Sequence, residues 1–150
     1  MFGPKNFITV RKKSLNKLMK TTIEDFHNVL NHDDDDDEES RHHHHIVDYE
    51  ITTEFGWSDM TNMINSGNVR DVWEVETTNF IVSCCCNQKF LKNNNKLTLL
   101  NQLNVGDMIT TENGLEPIES LTNTNVQEVM YELFVKTPRN VVYVGGVLST

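Results

Sequence analysis

The sequence is short of the groups that most often do chemistry near neutral pH. It has six histidines, and all of them (His27, His32 and His42–His45) precede residue 46. Residues 46–150 therefore contain no imidazole, which excludes a Cys–His nucleophile pair there and removes the usual general acid or base. Cysteine is confined to one run, Cys84-Cys85-Cys86. Neighbours on an extended chain point to opposite faces, so contiguous cysteines make a poor disulfide framework. Without a C-x-x-C pair they do not make a tetrahedral zinc site either. Such thiols suit a reducing, intracellular setting, and cytoplasmic localisation is the expectation. No Gly-rich phosphate-cradling loop is present, and no cofactor or metal is implied. No run of about 18 apolar residues occurs, so no membrane-spanning helix is expected. The basic N-terminus is not followed by the apolar segment of a signal peptide.

The chain has 150 residues, enough for one domain with a real core and hardly for two. A net charge of −9 disfavours non-specific nucleic-acid binding. The charge is segregated. Lys5, Arg11, Lys12, Lys13, Lys17 and Lys20 form a head with no acidic residue, and the acids begin at Glu24 and peak over Asp33–Glu39. The head lacks interleaved aromatics and reads as a solvated surface. Residues 32–45 are low-complexity, an Asp/Glu run followed by four histidines, and bury nothing that offsets their ordering entropy, so a disordered loop is expected. Carboxylates and imidazoles there could take up Zn²⁺ or Ni²⁺ adventitiously, but no fixed geometry makes this a functional metal site.

Elsewhere the pattern is that of short strands. Asn6–Arg11 carries β-branched residues and reads as a strand, followed by a turn-like Lys12–Lys20. Thr22–Leu30 has apolar residues at 23, 26, 29 and 30, one helix face, with Thr22 as N-cap. Tyr49–Thr53 reads as a strand. Phe55–Asp59 reads as a turn, Met60, Met63 and Ile64 as one helical turn, and Asn65–Asn68 as a loop. Val69–Glu76 alternates apolar and polar at period two, and Thr77–Asn79 turns it into Phe80–Cys84. Met108–Thr111 returns through the hairpin signal Asn113-Gly114. Val129–Val135 and Val141–Leu148 read as the last two strands, with Gly145-Gly146 as a bulge or bend. Many short strands with turn residues between them imply a mostly β fold. The cysteines remain open to two readings. They could act as nucleophiles if a local field lowered a thiol pKa, with Lys89 the nearby cation, or alternate ones could pack inward as small hydrophobes.

The order of these segments resembles an intein, a self-splicing element of the Hint (hedgehog–intein) fold, of the compact kind found in phage and viral proteins. F-G-P-K-N-F-I-T-V-R with T-T-I-E-D-F is similar to the first intein block, and F-G-W-S-D-M to the segment preceding the second. I-V-S-C-C-C-N-Q-K-F-L resembles the block in which the family has T-x-x-H. L-N-Q-L-N-V-G-D-M-I, M-Y-E-L-F-V and N-V-V-Y-V-G-G-V-L-S-T are similar to the L-x-V-G-D, V-Y-D-L-x-V and final blocks.

The resemblance implies a horseshoe-shaped β fold with one or two short helices, one domain over residues 1–150, bringing the two chain ends together. It implies autocatalytic splicing by N–S acyl shift, transesterification and Asn cyclisation, with the flanking exteins of a host protein as partners and a monomeric element. Carried over by position, Met1 stands where the family has Cys or Ser, Cys85 at the block Thr and Gln88 at the block His. Glu132 replaces an Asp, Thr150 stands at the penultimate His, and no terminal Asn follows. A thioether cannot attack a carbonyl, and Gln cannot shuttle a proton at neutral pH. The expectation is an intein-like element that does not splice as written, inactivated by design or by decay. The alternative is a non-catalytic β-rich binding module of viral origin.

Overall fold

The computed structural model describes residues 1–33, 43–46 and 48–150. Strands dominate, as the period-two patterning predicts, and every described pairing is antiparallel.

The basic head is a hairpin. β1 (Phe7–Lys12) buries Ile8 and Val10 and pairs residue for residue with β2 (Lys17–Thr22) across a 3-10 turn. The expected loop over Lys12–Lys20 is thus half strand. β2 pairs with β1 alone and is largely solvated, so its sequence carries no alternating apolar signal. Thr22 caps α1 (Ile23–Asp33) by accepting the Asp25 amide at 3.1 Å. The buried face of α1 is Ile23, Phe26, His27 and Leu30, while Val29 is exposed. The core stripe therefore follows i, i+3, i+4, i+7 and takes in a histidine that hydropathy alone would turn outward. Of the loop expected over 32–45, the first two residues close α1 and β3 (His43–His45) pairs as a strand. The remainder of that tract lies outside the described residues.

β4 (Tyr49–Thr53) falls where the sequence placed it. The helical turn and loop expected over 60–68 are instead part of β5 (Gly56–Val69), the longest strand. Two bulges explain the misreading. Pairing with β12 (Glu128–Val135) skips Thr61 between Met60 and Asn62, and skips Ser66 between Asn65 and Gly67. The first bulge places Met60 and Met63 in the core together at a spacing of three, which mimics a helix.

β6 (Val72–Thr77) and β7 (Ile81–Cys85) form the next hairpin. Its turn is held by the buried Glu116, whose carboxylate accepts from the Thr77 hydroxyl (2.8 Å), the Asn79 amide (3.0 Å) and the Asn79 side chain (2.6 Å). β8 (Lys89–Leu91) and β9 (Leu97–Leu99) follow, then the Asn113-Gly114 hairpin of β10 (Met108–Thr111) and β11 (Gly114–Asn123). The stretch Val141–Leu148 is a hairpin, not one strand. β13 (Val142–Val144) and β14 (Val147–Ser149) are joined by Gly145-Gly146 at φ +58° and +84°, the positive-φ pair that a two-residue hairpin turn demands.

The main path runs β12-β5-β4-β13-β14-β10-β11-β6-β7. Phe2 bridges Tyr131 on its first strand and Cys84 on its last. The N-terminal segment thus enters where the two ends of the open sheet approach each other.

Candidate functional site

Backbone bonds seat the N-terminal segment. Phe2 exchanges hydrogen bonds with Tyr131 (2.8 and 2.9 Å), Gly3 N–H donates to the Ser83 carbonyl (2.9 Å), and Cys85 N–H donates to the Met1 carbonyl (3.2 Å). The fit is close: a Cβ on Gly3 would lie 2.6 Å from Ser83 Oγ and 2.9 Å from Ser83 Cβ. Asn6 fastens the same region, donating to the Gly3 and Ser83 carbonyls and accepting the Ser83 amide.

The chain's other end is seated beside it. β14 pairs Ser149 with Phe90 of β8, and Lys89 and Thr150 exchange backbone bonds of 3.2 and 3.0 Å. Between the two ends stands Gln88, on the short connection from β7 to β8 and only 1% exposed. Its Oε1 accepts from the Met1 nitrogen at 2.6 Å, and its Nε2 donates to Ser149 Oγ at 2.9 Å and to the Thr150 carbonyl. The Met1 nitrogen can only donate and the Thr150 carbonyl can only accept, so these partners fix which way the amide points. Ser149 Oγ donates onward to the Lys89 carbonyl at 2.7 Å.

Cys85 closes the other side. Its Sγ lies 3.4 Å from the Met1 nitrogen and donates to Asn87 Oδ1 at 2.6 Å. The three cysteines do not simply alternate: Cys84 and Cys85 are both buried and Cys86 is exposed. β7 ends at Cys85, and the Met1 segment covers the face that Cys85 would otherwise present to water. Burial pushes the Cys84 thiol far up, which makes it an inert core group. Lys89, the cation considered for the cysteines, is exposed.

A cavity of about 190 Å³ opens next to Met1, lined also by Phe2, Glu132, Leu133, Phe134, Asn140 and Thr150. Of the five residues singled out from the sequence, Met1, Cys85, Gln88 and Thr150 thus share one hydrogen-bonded cluster, and Glu132 faces the cavity beside them. Among the described residues no group of three or more His, Cys, Asp or Glu is placed to hold a metal. Among the described residues no helix is long and apolar enough to cross a membrane.

Sequence reasoning missed several participants. Ser149 and Asn87 are small polar residues of a type found in any loop or strand, and no spacing marks them. Asn140, at φ +56°, stands in for a neighbouring strand, its side chain accepting the Val135 amide (2.7 Å) and donating to the Leu133 carbonyl (3.0 Å). Only its place after Pro138-Arg139 hinted at a turn role.

Chemically, the cluster can hold both chain ends at hydrogen-bond distance and present a thiol to the first residue. Gln88 can position these groups but cannot transfer a proton.

Comparison with known proteins is informative at the level of structure. No protein-family model and no curated protein sequence matches the chain. Solved structures do match over 99% of it. The VidaL intein (selenomethionine variant) superposes with a TM-score of 0.81 at 19% identity, over 94% of its own chain. A DnaB intein from Synechocystis sp. PCC 6803 gives 0.70 at 18% identity over 95% of its chain. The transcription factor IIB Mvu mini-intein gives 0.72 at 13% over 98% of its chain. Nothing among these relatives supports the alternative of a β-rich binding module. From end to end, the chain has the intein, or Hint, fold.

Proposed function

We propose that this chain is an intein-like protein-splicing element, acting as a monomer on the polypeptide segments that flank it and arrested at its present catalytic positions. The observation that carries this reading is Gln88, which binds the Met1 nitrogen and the Thr150 carbonyl at once. Splicing must excise a segment and join what lay on either side, so its two junctions have to meet at one group. A binding module has no such need.

The arrest follows from the side chains at those junctions. Met1 offers a thioether where an acyl shift needs a proton-bearing nucleophile. Gln88 occupies the position from which an imidazole would protonate the leaving nitrogen, and Thr150 offers a hydroxyl where a second imidazole would assist cyclisation. Cys85 and Glu132 complete the site around Met1.

The test is a precursor with a folded flank at each end, carrying Met1→Cys, Gln88→His and Thr150→His, with an Asn appended after Thr150 and a Cys as the first residue of the following flank to accept the acyl group. The expected result is a ligated product of the two flanks, read by mass spectrometry. A folded precursor that yields neither ligation nor cleavage refutes the reading.

A further inference from the structure

We infer that Cys85 is a nucleophile for the peptide bond that precedes Met1 when a flank is attached, so that the chain retains a partial reaction although it cannot splice. The inference rests on the splicing-element reading and goes beyond it, because it gives a reactive role to a residue at a position carried over from the family as a threonine.

The first residue supplies no nucleophile, yet one already lies against its nitrogen. Cys85 Sγ is 3.4 Å from the Met1 nitrogen and accepts one of its ammonium protons; with a flank attached the nitrogen keeps a single N–H, for Gln88, and the carbonyl carbon takes one of the vacated positions. A carbonyl carbon bonded to this nitrogen lies about 1.3 Å from it, so it can come within about 3–3.5 Å of the sulfur, a near-attack separation. The thiol has two acceptors in reach, Asn87 Oδ1 at 2.6 Å and Gln88 Oε1 at 3.7 Å; donation to the nearer one leaves a sulfur lone pair facing the junction.

Three further features fix the reacting peptide. Backbone bonds from Tyr131, Ser83 and Cys85 hold Met1–Gly3 on both sides. Gln88 Oε1 grips the Met1 nitrogen, the atom that must leave. The cavity beside Met1, about 190 Å³, gives a preceding residue room to continue past Glu132 and Leu133. The neighbouring thiols are excluded by position: Cys84 points into the core, and Cys86 is exposed on the turn.

The step balances within the chain. The bond from Cys85 Sγ to the carbonyl carbon of the preceding residue forms, and the bond from that carbon to the Met1 nitrogen breaks. The thiol proton ends on the Met1 nitrogen, which leaves as a free amine held by Gln88. The flank remains as a thioester on Cys85, with no net oxidation or reduction. Water or an added thiol discharges it, giving cleavage without ligation.

The experiment is a precursor with a small folded protein fused ahead of Met1 in the otherwise unchanged chain, incubated with 2-mercaptoethanesulfonate. The expected products, by mass, are the flank carrying a C-terminal thioester of that thiol and a fragment beginning at Met1. Cys85→Ala should lose both products, and Cys86→Ser should retain them. Cys85→Ser, which preserves size and packing, should fold with an unchanged urea midpoint and lose the thioester product. Release that persists in Cys85→Ala, or absence of release from a folded precursor, overturns the inference. If the restored precursor described above ligates its flanks while the unchanged one releases nothing, Cys85 is not the nucleophile and the splicing reading stands. If neither reacts, both fall.

Discussion

Replacing Gln88 with Met probes the bridge between the chain ends, because it keeps the volume of the side chain and removes its polar atoms. Three hydrogen bonds go with them: from the Met1 nitrogen, to Ser149 Oγ and to the Thr150 carbonyl. A neutral bond contributes about 0.5–1.5 kcal/mol net, and one to a charged group such as the N-terminal ammonium about 1.5–3. None of the former partners is left without a contact: the Met1 nitrogen, on a partly exposed residue, keeps Cys85 Sγ at 3.4 Å. Ser149 Oγ still donates to the Lys89 carbonyl, and the Thr150 carbonyl still accepts the Lys89 amide. The full penalty for an orphaned buried group therefore does not apply, and the lower part of the summed range does, about 2.5–4 kcal/mol. For a chain of this size that is roughly 5–15 °C in Tm. Gln88→His should behave differently. A neutral imidazole has one acceptor nitrogen and one N–H, enough to serve both chain ends, so its cost should stay within about 1 kcal/mol. Urea and thermal unfolding followed by tryptophan fluorescence give the stabilities. Hydrogen exchange at the Lys89 and Thr150 amides reports whether the ends have come apart. Wild-type stability in Gln88→Met, or equal damage from Met and His, would show that the bridge contributes nothing and refute the reasoning.

Two other perturbations test elements that hold the site in place. A Cβ on Gly146 would lie 2.2 Å from the Phe80 ring at a φ of +84°, whereas one on Gly56, at +88°, meets nothing within 4 Å; urea titration should therefore show Gly146→Ala costing about 1–3 kcal/mol more than Gly56→Ala, the overpacking share alone, with Phe80→Ala recovering most of the difference. Burial pushes the Glu116 carboxyl up, but hydrogen bonds from Asn79 and Thr77 outweigh it and hold the group below its ordinary value. Its stabilisation is thus present above the carboxyl's unfolded pKa and lost as pH falls through the folded value, and Glu116→Gln should flatten the loss of stability measured by urea titrations stepped down from pH 6.

What could be read from the sequence depended on how directly a feature is written in local pattern. β4, β10 and the hairpin at Asn113-Gly114 were legible because alternation and turn chemistry sit in adjacent residues. β5 was not, because its bulges at Thr61 and Ser66 reset the alternation twice, and a reset strand of methionines imitates a helix. Val29 looked apolar and proved exposed, while His27 proved buried, a choice set by what packs against α1 and not by α1 itself. Gly145-Gly146 read as an irregularity in one strand because its turn role depends on β14 folding back onto β13.

The site divides along the same line. Cys85, Gln88 and Thr150 could be placed by segment order, but their meeting with Met1 depends on contacts 62 to 87 residues apart in sequence, which no local pattern encodes. Those contacts rest mainly on backbone. Phe2 and Tyr131, Cys85 and Met1, and Lys89 and Thr150 are joined by amide–carbonyl bonds that nearly any side chain would permit. The framework that assembles the junction is therefore indifferent to whether position 88 holds a proton-transferring imidazole or an amide. A chain can exchange Gln for His there and keep both ends in register, because the amide reproduces the acceptor and the donor and gives up only the titratable proton. On the proposed splicing reading, this asymmetry lets the fold persist while the chemistry changes, and it leaves the junction peptide positioned for the nucleophile inferred beside it. In this chain that group is the thiol of Cys85.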